Sequence, residues 1–79
     1  MSAAAPSRPP AGRYVVLSWH AARPGEPWQV SRSYPGGAPG PFVLAAELRR
    51  DAHRREVRVV REEDADAAEA SMRRRGGPA

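Results

Sequence analysis

The chain of 79 residues contains no cysteine, lysine, isoleucine, asparagine or threonine. Without cysteine it can form neither a disulfide nor a thiolate metal site, and it has no thiol nucleophile. The two histidines, His20 and His53, lack further ligands at the spacing that a metal centre needs. The sequence therefore predicts no metal ion and no cofactor. No catalytic or nucleotide-binding motif is present either, so we expect a protein that is not an enzyme and has no small-molecule substrate.

Long hydrophobic runs are also missing. No stretch approaches the roughly 20 apolar residues of a membrane-spanning helix, and the N-terminus lacks the apolar core of a signal peptide. We therefore expect a cytoplasmic protein without a membrane partner. Fifteen of the apolar residues are alanines, so the core is small and only marginally stable by itself. Self-association or a larger protein partner would supply further stabilisation.

Alternating apolar residues predict two strands, over residues 13–21 and 28–34. One side of the first strand consists of Val15, Leu17 and Trp19, and the other of Tyr14, Val16, Ser18 and His20. Because both sides are largely apolar, we place this strand in the centre of a sheet.

The two strands predict a hairpin, since only a short turn rich in proline and glycine separates them. If Trp19 pairs opposite Trp28, the two indole rings meet at the loop end, where cross-strand aromatic pairs add stability. The same register places Leu17 opposite Val30 and sets Arg32 on the apolar face.

The next regular elements follow a break at residues 35–41, which hold three prolines and three glycines. Beyond it, Leu44, Ala45 and Leu48 mark the apolar stripe of a helix over residues 41–53, and a third strand follows over residues 56–61. The predicted fold is α+β, a small three-stranded sheet in β-β-α-β order with strand order 2-1-3. We expect this one helix to cover the face of Val15, Leu17 and Trp19.

The chain ends in a segment that changes from acidic to basic. Residues 62–71 hold five acids and no base, and three arginines follow. This order matches a helix dipole and predicts an additional helix over residues 62–75 that ends at Gly76. Asp66 and Glu69 have capping-box spacing. The predicted organisation is a disordered segment at 1–12, the domain at 13–61, and this helix with a flexible tail at 62–79.

The face opposite the predicted helix is the first candidate partner surface. Its expected members are Tyr14, Val16, Arg58 and Val60, together with several serines. A partly apolar, uncovered sheet face that contains an arginine is typical of an interface. The alternative is that the C-terminal helix covers this face, and the argument for an interface then fails. The leading hypothesis is a small non-enzymatic interaction module that forms a homodimer or binds a larger protein.

A second hypothesis rests on arginine, which supplies all 13 basic residues. The set around the predicted helix and third strand consists of Arg49, Arg50, Arg54, Arg55 and Arg58. Such a basic edge can contact the phosphates of RNA or DNA. Acidic residues are interleaved with it, and a coding sequence rich in G and C also raises the arginine content, so a solvated face with internal ion pairs is the alternative.

The C-terminal residues carry a resemblance. Arg73, Arg74, Arg75, Gly76 and Gly77 resemble the arginine and diglycine ending of ubiquitin-like modifiers, and Pro78 and Ala79 would then be a removable extension. The predicted β-β-α-β order is similar to a truncated β-grasp domain. The resemblance implies a modifier trimmed after Gly77. A β-grasp domain has a further strand before its tail, where this chain has its acidic helix, and a glycine that ends a helix explains Gly76 as well.

Overall fold

The computed structural model describes residues 12–21, 25, 27–37 and 39–77. Its elements are β1 (Tyr14–Ala21), β2 (Trp28–Ser33), α1 (Gly40–Leu48), β3 (Arg54–Arg61) and α2 (Ala65–Arg75), with a short 3-10 turn (Glu62–Asp64) before α2. The predicted disordered segment, apart from Gly12, and the last two residues of the tail lie outside the described residues. Within those residues, no helix has the length and apolar character needed to cross a membrane.

The sheet has the predicted order, β2-β1-β3, and β1 runs antiparallel to both neighbours. The α+β fold with an additional C-terminal helix is therefore confirmed. The central strand is buried without interruption from Tyr14 to Trp19. This burial follows from apolar side chains on both sides of β1, which require cover on both faces.

The hairpin register differs from the predicted one by two residues. Trp19 pairs with Val30 and Ala21 pairs with Trp28, so the two tryptophans are not opposite each other. A slip of two residues leaves every side chain on the same face, and the apolar pattern alone does not distinguish the two registers. The observed pairing reaches Ala21 and Trp28, so it comes closer to the turn than the predicted register does.

The helix that covers the Val15, Leu17 and Trp19 face is α2, and the prediction that the first helix does so is wrong. The core cluster on this face also contains Val30 of β2 and Met72 of α2. Met72 and Val15 are completely buried. The small side chains Ala65 and Ala68 of α2 also pack in or against this cluster, and small residues allow a helix to approach a sheet closely.

The opposite face is covered by α1. Ala45 of α1 is buried against Val16 and Val57, and Leu44 and Leu48 pack around them. At one end of this face the rings of Tyr14 and Phe42 meet edge to face, with centroids 5.2 Å apart. The sheet is therefore the middle layer between two helices, and its exposed parts are its two edges, β2 and β3.

The first helix is shorter than predicted. It ends at Leu48 instead of His53, and tight backbone hydrogen bonds from Arg50 N to Glu47 O and from Asp51 N to Leu48 O form the turn. Asp51 Oδ1 then accepts a hydrogen bond from His53 N at 2.8 Å. An aspartate that bonds a backbone N–H two residues on competes with helix continuation, which explains the early end.

The predicted capping box at the start of the C-terminal helix does not form. Asp64 is the N-cap of α2 and makes no side-chain capping bond, while the carboxylates of Asp66 and Glu69 both lie beside Arg32 on β2. The end of the helix agrees with the prediction. Gly76 has a φ of 77°, the left-handed conformation that glycine adopts without a steric cost.

Candidate binding edges of the sheet

The four residues predicted to form an open partner face do not lie on one surface. Tyr14 and Val16 are buried on the α1 side. Arg58 and Val60 are paired opposite Leu17 and Val15 and therefore lie on the α2 side. The expectation of an uncovered face is wrong, because a central strand that is apolar on both sides has acquired a helix on each.

Tyr14 has a packing role on the α1 side. Its ring contacts Phe42 edge to face, and the guanidinium carbon of Arg61 lies 5.9 Å from the centre of the ring. Its hydroxyl is buried without a hydrogen-bond partner among the described residues. A buried hydroxyl without a partner has lost its hydration, so the hydroxyl itself does not contribute to stability here.

The predicted nucleic-acid set of five arginines is divided by the fold. Arg49, Arg50 and Arg55 are exposed between the end of α1 and the start of β3. Arg58 is exposed on the α2 side of β3. Arg54 is directed towards the sheet and is only 23% exposed. The structure thus brings four members to one edge and removes Arg54 from that group.

Arg54 joins all three strands through a polar cluster. Its Nη1 donates to Ser18 Oγ at 2.8 Å and to Ser31 Oγ at 3.0 Å. The two serine hydroxyls are 2.9 Å apart and share a hydrogen bond. Ser18 is only 1% exposed, so its hydroxyl depends on these partners. The cluster therefore supplies the hydrogen bonds that the buried Ser18 hydroxyl needs, and this structural role explains it.

His20 lies opposite Arg54, beside this cluster. Burial lowers the pKa of His20 below its ordinary value of 6.5, the positive charge of Arg54 lowers it further, and Asp51 opposes the change. The Ser18 hydroxyl nearby is already engaged by Arg54 and Ser31. Within the described ranges, no three side chains of the His, Cys, Asp and Glu types come together in a way that suits a metal ion.

The β3 edge carries arginines that have no carboxylate within 4.0 Å among the described residues. These are Arg55, Arg58 and Arg61 on the strand and Arg49 and Arg50 beside it. Arg49 Nη2 donates to the carbonyl oxygen of Val57 at 3.1 Å, which places the end of α1 against β3. The predicted set does not include Arg61, although Arg61 is the last residue of the predicted third strand and follows Arg58 by three residues.

The β2 edge has a different electrostatic character. Its single charged residue, Arg32, lies 2.6 Å from Asp66 Oδ1 through Nη2 and 2.8 Å from Glu69 Oε1 through Nε. Two α2 carboxylates therefore surround the one cation of the strand. Gln29 is exposed, and Tyr34, just after the strand, is 64% exposed. Sequence periodicity did not indicate that the charge of this edge is neutralised, because the neutralising carboxylates belong to a helix that is distant in sequence.

A shallow groove of about 460 Å³ lies near Tyr34. It is lined by Arg13 and Glu62, which form a 3.2 Å ion pair, and by Arg32 and Asp66, which form another. Because each cation in this groove faces a carboxylate, the groove offers little net charge to a charged ligand. Its position beside β2 instead adds to the surface that a protein partner can contact.

The C-terminal arginines and glycines form the end of a helix. Arg73, Arg74 and Arg75 are the last turn of α2, and Arg75 Nη2 donates to Glu56 of β3 at 2.8 Å. Gly77 lies against Trp28, where an added Cβ would be 3.3 Å from the indole Cδ1. The left-handed φ of 77° at Gly76 favours its explanation as the glycine that ends α2.

Comparisons with protein-family models, with curated proteins and with solved structures gave no match to this chain.

Proposed function

We propose that this protein is a small non-enzymatic interaction module that associates with a second copy of itself through the outer edge of β2. The observation that supports the proposal most is the contrast between the two sheet edges. Helices cover both faces of the sheet, so an apolar face is not the contact surface. The outer backbone groups of an edge strand remain available for pairing with another chain.

The β2 edge suits pairing with an identical strand. Trp28–Ser33 is six residues long, an ordinary length for a strand. Its one cation is neutralised by Asp66 and Glu69, so two copies meet there without repulsion between unpaired charges. Two copies related by a two-fold axis would join into a continuous six-stranded antiparallel sheet.

The β3 edge does not suit such pairing. Arg55, Arg58 and Arg61 are exposed along it and face no carboxylate of the described chain. Two copies of this strand would bring like charges together, which destabilises cross-strand pairs. Charged residues on an edge strand are a common protection against edge-to-edge association.

Apolar residues beside β2 extend the proposed contact. Tyr34 is 64% exposed directly after the strand, and Trp28 at its start is partly buried. Aromatic residues are enriched at protein interfaces. Association would also supply part of the stabilisation that a chain of this size needs.

Size-exclusion chromatography with light scattering tests the proposal over a range of concentrations. The chain has a mass of 8.6 kDa, and we expect twice this mass at high concentration, together with a melting temperature that rises with concentration. The double variant Gln29→Arg with Tyr34→Arg adds two positive charges to each copy at the proposed contact. Because these charges repel each other across the contact, the variant should be monomeric. Both side chains are exposed, so folding should persist.

The matched control is Val43→Arg with Ala46→Arg. These two residues are exposed on α1 and add the same charge away from β2. The control variant should remain dimeric. A wild-type chain that is monomeric at all concentrations, with a melting temperature independent of concentration, would contradict the proposal. Equal dissociation of both variants would also contradict it, because net charge and not the β2 edge would then control association.

A further inference from the structure

Several exposed arginines of the described residues border the β3 edge of the sheet. Arg55, Arg58 and Arg61 lie on β3, and Arg50 lies in the turn after α1. We name these four residues the β3 arginine row. From Arg55 to Arg61 the row extends about 20 Å, at about 3.3 Å for each residue of an extended strand.

The acidic residues interleaved with this row are engaged elsewhere. Glu56 accepts two hydrogen bonds from Arg75 of α2, at 2.9 and 2.8 Å. Asp51 accepts from His53 N and lies 3.7 Å from Arg54 Nε. Glu62 pairs with Arg13 at 3.2 Å. These three carboxylates therefore have partners outside the row, while Glu62 and Glu63 line a shallow pocket together with Arg61.

Two contacts hold the row in position and leave its guanidinium groups available. Arg49 donates to Val57 O at 3.1 Å, which fixes the turn carrying Arg50 beside the strand. Arg61 lies over the ring of Tyr14 at 5.9 Å. A cation above an aromatic ring interacts through the ring face, so the N–H donors of Arg61 stay free for an anion.

We infer that the β3 arginine row binds the phosphate backbone of double-stranded nucleic acid, without base specificity, as an activity separate from association through β2. Planar guanidinium groups with several N–H donors match phosphate oxygens. Arg58 lies on the α2 side of β3 and Arg61 on the α1 side, over Tyr14, so the cations border both sides of this edge. Four cations in this arrangement fit an extended polyanion better than a single phosphate.

The residues of the row favour a duplex over a single strand. Single-strand binding relies on aromatic side chains that stack on the bases. In the described part of the chain, the only ring that lies under an arginine of the row is Tyr14, which is buried and covered by Phe42 and Arg61. Contacts restricted to phosphates need no exposed bases. They carry a steep dependence on salt, since each neutralised phosphate releases a counterion.

Fluorescence anisotropy with a labelled duplex DNA of random sequence tests the inference. With four contacts, the logarithm of the binding constant should fall against the logarithm of the salt concentration with a slope of about −3 to −4. Arg55→Gln with Arg58→Gln should reduce the slope to about −2 and weaken binding about tenfold or more at low salt. Circular dichroism verifies that these two exposed substitutions preserve the fold.

Arg73→Gln with Arg74→Gln is the matched control, because it lowers the formal net charge of +4 by the same two units. These residues are exposed on α2, outside the row, and Arg73 donates to Glu69 Oε2 at 3.0 and 2.8 Å. Circular dichroism verifies that the loss of this pair preserves the fold, and the variant should keep both the affinity and the slope. Equal weakening in the two variants would overturn the assignment, since only overall charge would then matter.

Three further results would overturn the inference. The first is the absence of duplex binding at low salt, and the second is binding to a single strand at least about tenfold tighter than to the duplex. The third is binding to polyglutamate without binding to the duplex, which would identify an acidic protein as the partner. The β2 variant and its control, Val43→Arg with Ala46→Arg, both keep the row intact and add the same charge. Their duplex affinities per chain are therefore compared with each other, and they report on the row even where association fails.

Discussion

Arg32 Nε lies 2.8 Å from Glu69 Oε1, and this contact connects the edge strand β2 to α2. The two side chains are 26% and 18% exposed, so the ion pair is largely shielded from water. On the opposite edge, Arg75 of α2 pairs with Glu56 of β3 at 2.8 Å. Ion pairs at both edges of the sheet thus hold a helix whose own apolar surface is small.

The first prediction compares the two carboxylates beside Arg32. The hydrogen bond to Asp66 raises the pKa of Arg32, but the Asp66 side chain is 94% exposed and water screens its charge. Asp66→Asn should therefore cost less than about 1 kcal/mol of unfolding free energy. Glu69→Gln should cost about 1.5–3 kcal/mol, because it removes a shielded carboxylate that pairs with both Arg32 and Arg73. Urea denaturation measures both, and a larger loss in the Asp66 variant would contradict the assignment.

The second prediction concerns Met72, the one large apolar side chain by which α2 is anchored. It is completely buried in the cluster with Val15 and Leu17. Met72→Ala should lower the unfolding free energy by about 2–5 kcal/mol. The matched variant Met72→Leu nearly conserves volume and should cost less than about 1.5 kcal/mol. If Met72→Ala were as stable as the wild type in thermal and urea unfolding, α2 would not be packed on this face.

The third prediction concerns the Tyr14 hydroxyl, which is buried without a partner among the described residues. Tyr14→Phe keeps the ring against Phe42 and removes the unpaired group, so it should raise the unfolding free energy by about 1 kcal/mol. Tyr14→Ala should lower it by about 3–5 kcal/mol, since the aromatic packing is lost. A clear loss of stability in Tyr14→Phe would show that the hydroxyl has a partner.

The fourth prediction is a pH dependence due to His20. Its pKa in the folded protein is lower than 6.5 because of burial and of Arg54, so the unfolded chain binds a proton more readily. The contribution to stability is present above pH 6.5 and is lost as the pH falls through the folded pKa.

His20→Gln should remove this part of the slope in unfolding free energy between about pH 7 and pH 5. His53→Gln is the control, because His53 is exposed in the turn before β3 and should leave the difference in place. Identical slopes in the wild type and in His20→Gln would contradict the predicted role of burial.

Much of the fold follows from local patterns in the sequence. Alternation in residues 14–21 identified β1, and apolar side chains on both of its sides identified it as the central strand. The glycine after α2 gave a correct element boundary, and the break rich in glycine and proline placed the start of α1 within one residue. These features depend on residues close in sequence, which is why they can be predicted from the sequence alone.

The assignment of helices to faces did not follow from such patterns. The stripe of Leu44, Ala45 and Leu48 is more apolar than that of Ala65, Ala68 and Met72, yet the second covers the Leu17 face. On this face α2 also meets Arg32 and Glu56 with its own charges, and these contacts join residues far apart in sequence. The two-sided apolar character of β1 was evidence for two covering layers, but it does not say which helix takes which face.

Part of the arginine edge could be predicted from the sequence, and the rest depends on contacts between distant residues. Sequence proximity placed Arg50, Arg55 and Arg58 together, and the structure adds Arg61 and withdraws Arg54 into the serine cluster. The pairing of Glu56 with Arg75, 19 residues away, decides which arginines stay free. No local pattern contains that contact.

Helices cover both faces of the sheet, and we therefore propose that partners meet the protein at its edges. A carbon-edited nuclear Overhauser spectrum of the folded protein tests the claim that both faces are covered most directly. We expect cross-peaks from the Met72 methyl group to Val15 or Leu17 and from the Phe42 ring to the Tyr14 ring. Contacts from Leu44 or Leu48 to Leu17 and Trp19, with no contact from Met72 to the sheet, would contradict the claim and leave one face open to a partner.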